Sequence, residues 1–295
     1  MRGYIDASFY CLFTAISFTF IDKLDDSMNP FISLFFMSIM SSLFFNTINY
    51  KHIKKMFRAC INNKISYLIM GLSISINWLS SIFAPNVSDP FIYLTISFTT
   101  MAIFGFVFIK KNKAIDYYVC SLSILALVLT LAYLHVHYYM DKSRSLNFGF
   151  IIGIISGIAA YAYGYSSNKL AKDSEMNALQ TLAVRFWPLI ILLFVIIKYK
   201  HISISISLSD FNILLFMSVF TMIVPNYFNQ SSLIKLGVAK RSMFIIITPL
   251  LTFIIYSLSM KNFNIENSIL AIIITLVLVF SKTIPIIVNK FINRN

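Results

Sequence analysis

The chain has 295 residues, of which 58% are hydrophobic and 12% charged, with 29 Phe, 16 Tyr and a mean hydropathy of +0.80. That composition excludes a soluble globular domain, and the length excludes a single membrane span. A net charge of +13 would suit nucleic-acid binding, but the positive residues are distributed as membrane topology distributes them.

Ten apolar runs are predicted as spanning helices, at 4–22, 30–49, 65–83, 91–109, 117–139, 147–167, 178–197, 211–232, 242–259 and 267–288. Each is close to the roughly 20 residues that cross a bilayer as a helix. The fold class expected is an all-α polytopic membrane protein with ten transmembrane helices. The first run follows a lone Arg2 and lacks a small-residue cleavage site, so it reads as a retained helix. Between the second and third runs, "KHIKKMFRAC" reads as an orientation signal in contact with anionic lipid heads. Cys11, Cys60 and Cys120 lack metal or disulfide spacing, and no cofactor or metal is expected. Tyr117, Tyr118, Tyr138, Tyr139 and Tyr199 stand at span ends, where amphipathic rings anchor.

Sorting Lys and Arg by alternate linkers puts seventeen on the side of both termini and six on the other, with Arg185 inside the seventh span. The excess marks the cytoplasmic side, which places both termini there, and a bacterial inner (plasma) membrane is expected. A phrase also repeats: "DKLDDSMNP" (22–30) and "NKLAKDSEMNA" (168–178) each follow the first helix of a five-helix block. Five is odd, so the second block enters from the opposite face. Residues 1–145 and 146–295 are thus expected as two inverted repeats, an arrangement that places a substrate site near the midplane.

Three stretches of the second half carry a family resemblance: "GIISGIAAYAYGYSSNKL" (153–170), "LAVRFWPLIILL" (182–193) and "LIKLGVAKRSMFIIITPLLTF" (233–253). With the ten-span topology they resemble the drug/metabolite transporter superfamily, specifically its EamA-like members. The family's usual Gly-Glu pair after the fourth and ninth helices is replaced here by Lys110-Lys111 and Met260-Lys261. The resemblance implies a transporter and not an enzyme.

Polar groups inside a bilayer are costly unless they face protein or a watered cavity. "SINWLSS" (75–81) and "VPNYFNQSS" (224–232) both place an Asn before an aromatic, Asn77-Trp78 and Asn226-Tyr227. Further polar groups follow at i+3 and i+4, Ser80 and Ser81 or Asn229 and Gln230, on the same helix face. These residues, with the i, i+4 pair Tyr161 and Tyr165, form the expected substrate site, and interhelical bonding is the plainer alternative for the amides. Arg185 lies roughly 10 Å into its span, where it attracts an anion, bonds a carbonyl or snorkels to the surface. Pro225 and Pro249 fall inside spans and are expected to kink them.

No Asp or Glu lies near the middle of any span, and His135 and His137 sit near the outer end of the fifth, so no proton-coupling residue stands out. Walker A and His-Glu-x-x-His motifs are absent. The expected function is secondary transport of a small polar or zwitterionic metabolite, such as an amino acid or amine, by alternating access. The alternatives are a flippase for a lipid-linked precursor and a non-transport membrane protein. The expected partners are the small-molecule substrate and membrane lipid, with no nucleic acid, in a monomer or homodimer.

Overall fold

A computed structural model describes residues 2–25, 28–84, 90–107 and 145–260, together with 125, 269, 272, 273, 276 and 277. The expected fifth and tenth spans, with His135, His137 and Cys120, lie almost wholly outside the described residues. Among the described residues there is no strand. Five helical stretches are long and apolar enough to cross a membrane: Pro30–Ile48, Lys64–Phe83, Gly149–Asp173, Ala178–Tyr199 and Leu208–Val238. The described residues are those of an all-α membrane protein.

In chain order the helices are α1 (Arg2–Asp25), α2 (Pro30–Ile48), α3 (Ile53–Asn62), α4 (Lys64–Phe83), α5 (Pro90–Val107), α6 (Ser145–Asp173), α7 (Ala178–Arg185), α8 (Trp187–Tyr199), α9 (Leu208–Met217), α10 (Val224–Phe244) and α11 (Thr248–Met260). The basic stretch after α2 is itself helical. In α3 the residues Met56, Ala59 and Cys60 are buried while Lys54, Lys55 and Arg58 stay exposed. That division between an apolar and a cationic face suits a helix lying along the membrane surface. Burial pushes the Cys60 thiol up to about 12, so it packs as a small apolar group.

The repeated phrase has a local task. Asn29 and Asn177, the last aligned residues of the two copies, are the N-caps of α2 and α7. Asn29 Oδ1 accepts from Phe31 N at 3.0 Å, and Asn177 Oδ1 accepts from Gln180 N at 2.9 Å. Gln180 Oε1 accepts in turn from Asn177 N, closing a capping box over two otherwise orphaned donors. Met28 and Met176, just before the caps, both pack on the same apolar cluster.

Contacts between linkers sort the two ends of the bundle. Lys55 Nζ donates to Glu175 O and Asn63 Nδ2 to Ser174 Oγ, so the α2–α4 and α6–α7 linkers share one end. Lys200 lies 4.9 Å over the Phe31 ring, which brings the α8–α9 linker beside the start of α2. Asp6, near the start of α1, accepts from Ser231 and Lys235 of α10 at 2.7 Å each.

The long helices are joined by irregular turns with identifiable causes. Residues 218–223 form a π turn between α9 and α10, and Pro225 follows it. In that turn Val224 N donates five residues back to Val219 O. The next such bond would need an N–H on Pro225, which has none, so Phe220 O is left to another donor. Ser17 Oγ lies 3.1 Å from it and 2.6 Å from Phe13 O, sharing its one proton between them. Asn226 Nδ2 donates to Met222 O at 2.6 Å beside the same break.

Gly237 breaks α10 with φ 75° and ψ 168°, a conformation open to glycine and little else. The helix resumes immediately afterwards. Residues 238–244 therefore already belong to the next helical stretch, which passes through a 3-10 turn at 245–247 and into α11. Pro249 is buried at the second position of α11, where a missing N–H costs nothing, and the chain changes helix type just before it. Close packing depends on another glycine. A Cβ at Gly157 of α6 would collide with Ser97 O of α5, so the two backbones meet there.

Candidate functional site

The helices border a cavity of about 90 Å³. That volume holds roughly half a dozen waters or a small solute. α1 contributes Tyr10 to Ile21 along one wall, a rise of about 16 Å. α4 contributes Asn77, Trp78 and Ser81, while α5 contributes Tyr93 and Ser97. Ser156, Ala160 and Tyr163 come from α6, Arg185 ends α7, and Pro225, Asn226, Asn229 and Arg241 come from α10.

One wall is a closed hydrogen-bond network around Ser156. Asn77 Nδ2 donates to Ser156 Oγ at 3.0 Å, Tyr93 Oη lies 2.7 Å from the same oxygen and Ser97 Oγ 3.2 Å. Ser81 Oγ is 3.1 Å from Tyr93 Oη and 2.9 Å from Asn77 O. Three helices, α4, α5 and α6, are tied together by five polar side chains that satisfy one another.

The facing wall is different. Arg185 is 2% exposed and Arg241 4% exposed, and among the described residues no carboxylate lines the cavity. Arg185 Nη1 donates to Tyr163 Oη at 3.0 Å, and its guanidinium lies 4.5 Å from the Tyr163 ring centre and 5.2 Å from that of Phe186. Tyr163 Oη donates onward to Gln230 Oε1 at 2.7 Å, and Ser167 Oγ donates to the same oxygen at 3.0 Å. Arg241 lies 5.1 Å over the Tyr10 ring. Among the described residues, Nε of both arginines, Asn229 Oδ1 and Gln230 Nε2 are buried without partners, as is Trp78 Nε1 on α4.

Taking a guanidinium out of water costs several kcal/mol, and contact with a ring face returns about 1–2 kcal/mol. Arg185 adds a hydrogen bond to Tyr163, and each cation still keeps an Nε without a partner among the described residues.

The sequence-derived site residues divide accordingly. Asn77, Trp78, Arg185, Pro225, Asn226 and Asn229 line the cavity together. Gln230 stands one layer behind, holding Tyr163 by a hydrogen bond. Tyr165 is 58% exposed and Tyr227 38% exposed, and neither borders the cavity. Tyr161 packs against the apolar cluster of Cys11, Phe18 and Tyr93, several of whose members line the cavity, but it is not itself a lining residue. The tyrosine of α6 that faces the cavity is Tyr163, two residues from each expected one. Arg185 neither snorkels nor meets a carbonyl among the described residues, because the turn at Phe186 and Pro188 directs it inward against Tyr163. Arg241, counted among linker cations from the sequence, is a cavity residue, because the helix resumes at once after Gly237. Tyr10 and Ser17 of α1 were also absent from the expected site; α1 gives no polar cluster to single them out.

No family model matches the chain, and no curated protein matches it. Solved structures do match. One, described as "Crystal structure of protein", aligns over 96% of this chain and 96% of its own with a TM-score of 0.67 and 9% identity. At that identity the likeness is one of fold: this chain shares its overall fold with that protein across nearly the whole of both.

Proposed function

We propose that the protein is a secondary transporter that moves a small polar metabolite across the membrane by alternating access. The observation that carries this reading is the internal cavity, largely apolar but set with buried amides and two arginines, walled by α1, α4 and α5 from the first half and by α6, α7 and α10 from the second. A cavity at the meeting of two halves is where inverted-repeat carriers hold substrate. Such a carrier has ten spans, five in residues 1–145 and five in 146–295, with both termini cytoplasmic, as in the EamA-like transporters that the sequence resembles. The breaks at the π turn, at Phe186 and at Gly237 give the walls joints about which to rock. A solid scaffold has no use for two half-compensated cations around an internal space.

A flippase for a lipid-linked precursor needs a lateral mouth with basic residues for phosphate. The exposed groove between α4 and α6 is lined by Ile69, Leu72, Ser73, Ile76, Ile155 and Ile158 among others and carries no charge among the described residues, which supports a soluble cargo.

The test is reconstitution in proteoliposomes with pooled metabolites inside, scored by counterflow. Saturable exchange of at least one solute is expected. Absence of saturable flux for a broad panel of acids, amines, amino acids and sugars would sink the carrier reading.

A further inference from the structure

The cavity bears positive charge, and no described residue of opposite sign lines it. Arg185 and Arg241 both line it, both are nearly fully buried, and each keeps an Nε without a partner among the described residues. Asp6, a carboxylate of α1, is bonded to Ser231 and Lys235 and does not line the cavity.

Like charges buried together repel, and the repulsion is relieved by a shared counter-anion. The guanidinium is suited to this, because its planar fork matches the two oxygens of a carboxylate or the face of a phosphate. Arg185 is also held in place by the Gln230–Tyr163 chain, so its orientation is set before a ligand arrives. The rest of the lining is neutral: amides at Asn77, Asn226 and Asn229, and rings at Trp78, Phe18 and Phe98.

Building on the carrier reading, we infer that the solute is a small organic anion whose oxyanion sits between Arg185 and Arg241, with its uncharged remainder against the amides and rings. The free volume suits a compact acid and not a nucleotide. Tyr163 and Gln230 are positioning residues for Arg185. An amino acid meets the same requirement through its carboxylate, with Asn229 Oδ1 as a free acceptor for its ammonium.

The experiment measures the melting temperature of the purified full-length protein with four sets of probes: small carboxylates, α-amino acids, small phosphate monoesters, and the matching neutral amides and alcohols. A ligand that binds the folded state raises the melting temperature by mass action. Stabilisation by an acid set and not by its amide counterparts is expected. R185M and R241M should each weaken that binding by at least about tenfold, yet raise the melting temperature of the unliganded protein, because an unpaired buried charge is gone. The raised melting temperature also shows that the variants fold, and Arg241→Lys, which keeps charge without the fork, should bind with intermediate strength.

Equal stabilisation by the neutral amides, or undiminished acid binding in both Met variants, overturns the inference and leaves the carrier reading intact. Acid binding without flux in proteoliposomes keeps the oxyanion site and overturns the carrier. Carboxylates alone, or phosphates alone, name the source of the oxyanion.

Discussion

Two walls of one cavity are built on opposite principles. Around Ser156, the side chains of Asn77, Ser81, Tyr93 and Ser97 satisfy one another. Elsewhere in the lining Arg185, Arg241 and Asn229, and Trp78 beside the network, keep buried polar atoms without partners among the described residues. A buried polar group normally finds a hydrogen bond, so a wall that leaves several unmet is either strained or waiting for a ligand. The first wall holds helices together; the second is the one on which a solute can gain binding energy. Substitutions should separate the two, lowering stability on one side and function on the other.

The largest stability loss should come from Gly157→Leu, which forces α5 and α6 apart where their backbones meet and dismantles the Ser156 network. A loss of about 3 kcal/mol or more is expected from overpacking of this kind. Fluorescence-detected size exclusion of detergent extracts, with unfolding midpoints for what survives, would measure it; a wild-type profile would show that the network does not depend on the contact. Ser156→Ala keeps the packing but removes the oxygen shared by Asn77, Tyr93 and Ser97, and should cost about 1–3 kcal/mol with little change in ligand affinity of the remaining folded protein. Were affinity to collapse while stability held, the assignment of that wall would be reversed.

Smaller effects follow at the joints and caps. Gly237→Ala places a side chain at φ 75° and ψ 168°, a region essentially confined to glycine, and should cost about 1–3 kcal/mol through local backbone strain, since nothing beyond the chain neighbours crowds its Cβ. Asn177→Ala removes a capping box and should cost about 1 kcal/mol, as should Asn29→Ala at the matching position. Unequal costs at the two would mean that the repeated phrase serves the halves differently. Smallest of all in stability is Asn229→Ala, within about 0.5 kcal/mol of wild type because its acceptor is unpartnered, while transport or ligand stabilisation should fall measurably.

Much of the cavity was legible because amides inside apolar runs are rare enough to stand out. Asn77 and Asn226, with polar neighbours on the same helix face, line one space in the structure. The tyrosines misled because i, i+4 spacing shows which residues share a face and not which face turns inward. On α6 the inward face is marked instead by small and hydroxyl residues at Ser156, Ala160, Tyr163 and Ser167, each three or four positions apart. Arg241 was missed for another reason. Positive charges near a span end count as topology signals, and the expected span begins at 242, four residues after the helix resumes, because Gly237 makes so short a joint. The helical character of the basic linker at 53–62 was visible in its pattern of Met56, Ala59 and Cys60, but lay outside the search for spans.

The π turn at 218–223 has a consequence for the direction in which α10 looks. A π turn carries one residue more than the α turn it replaces, and one residue is about 100° of rotation about the helix axis. Asn226 and Asn229 lie downstream of that surplus, so their aim is set by a counting irregularity six residues long and not by their own spacing. Shortening the turn by a single residue would leave every cavity amide in the chain and swing two of them out of the cavity.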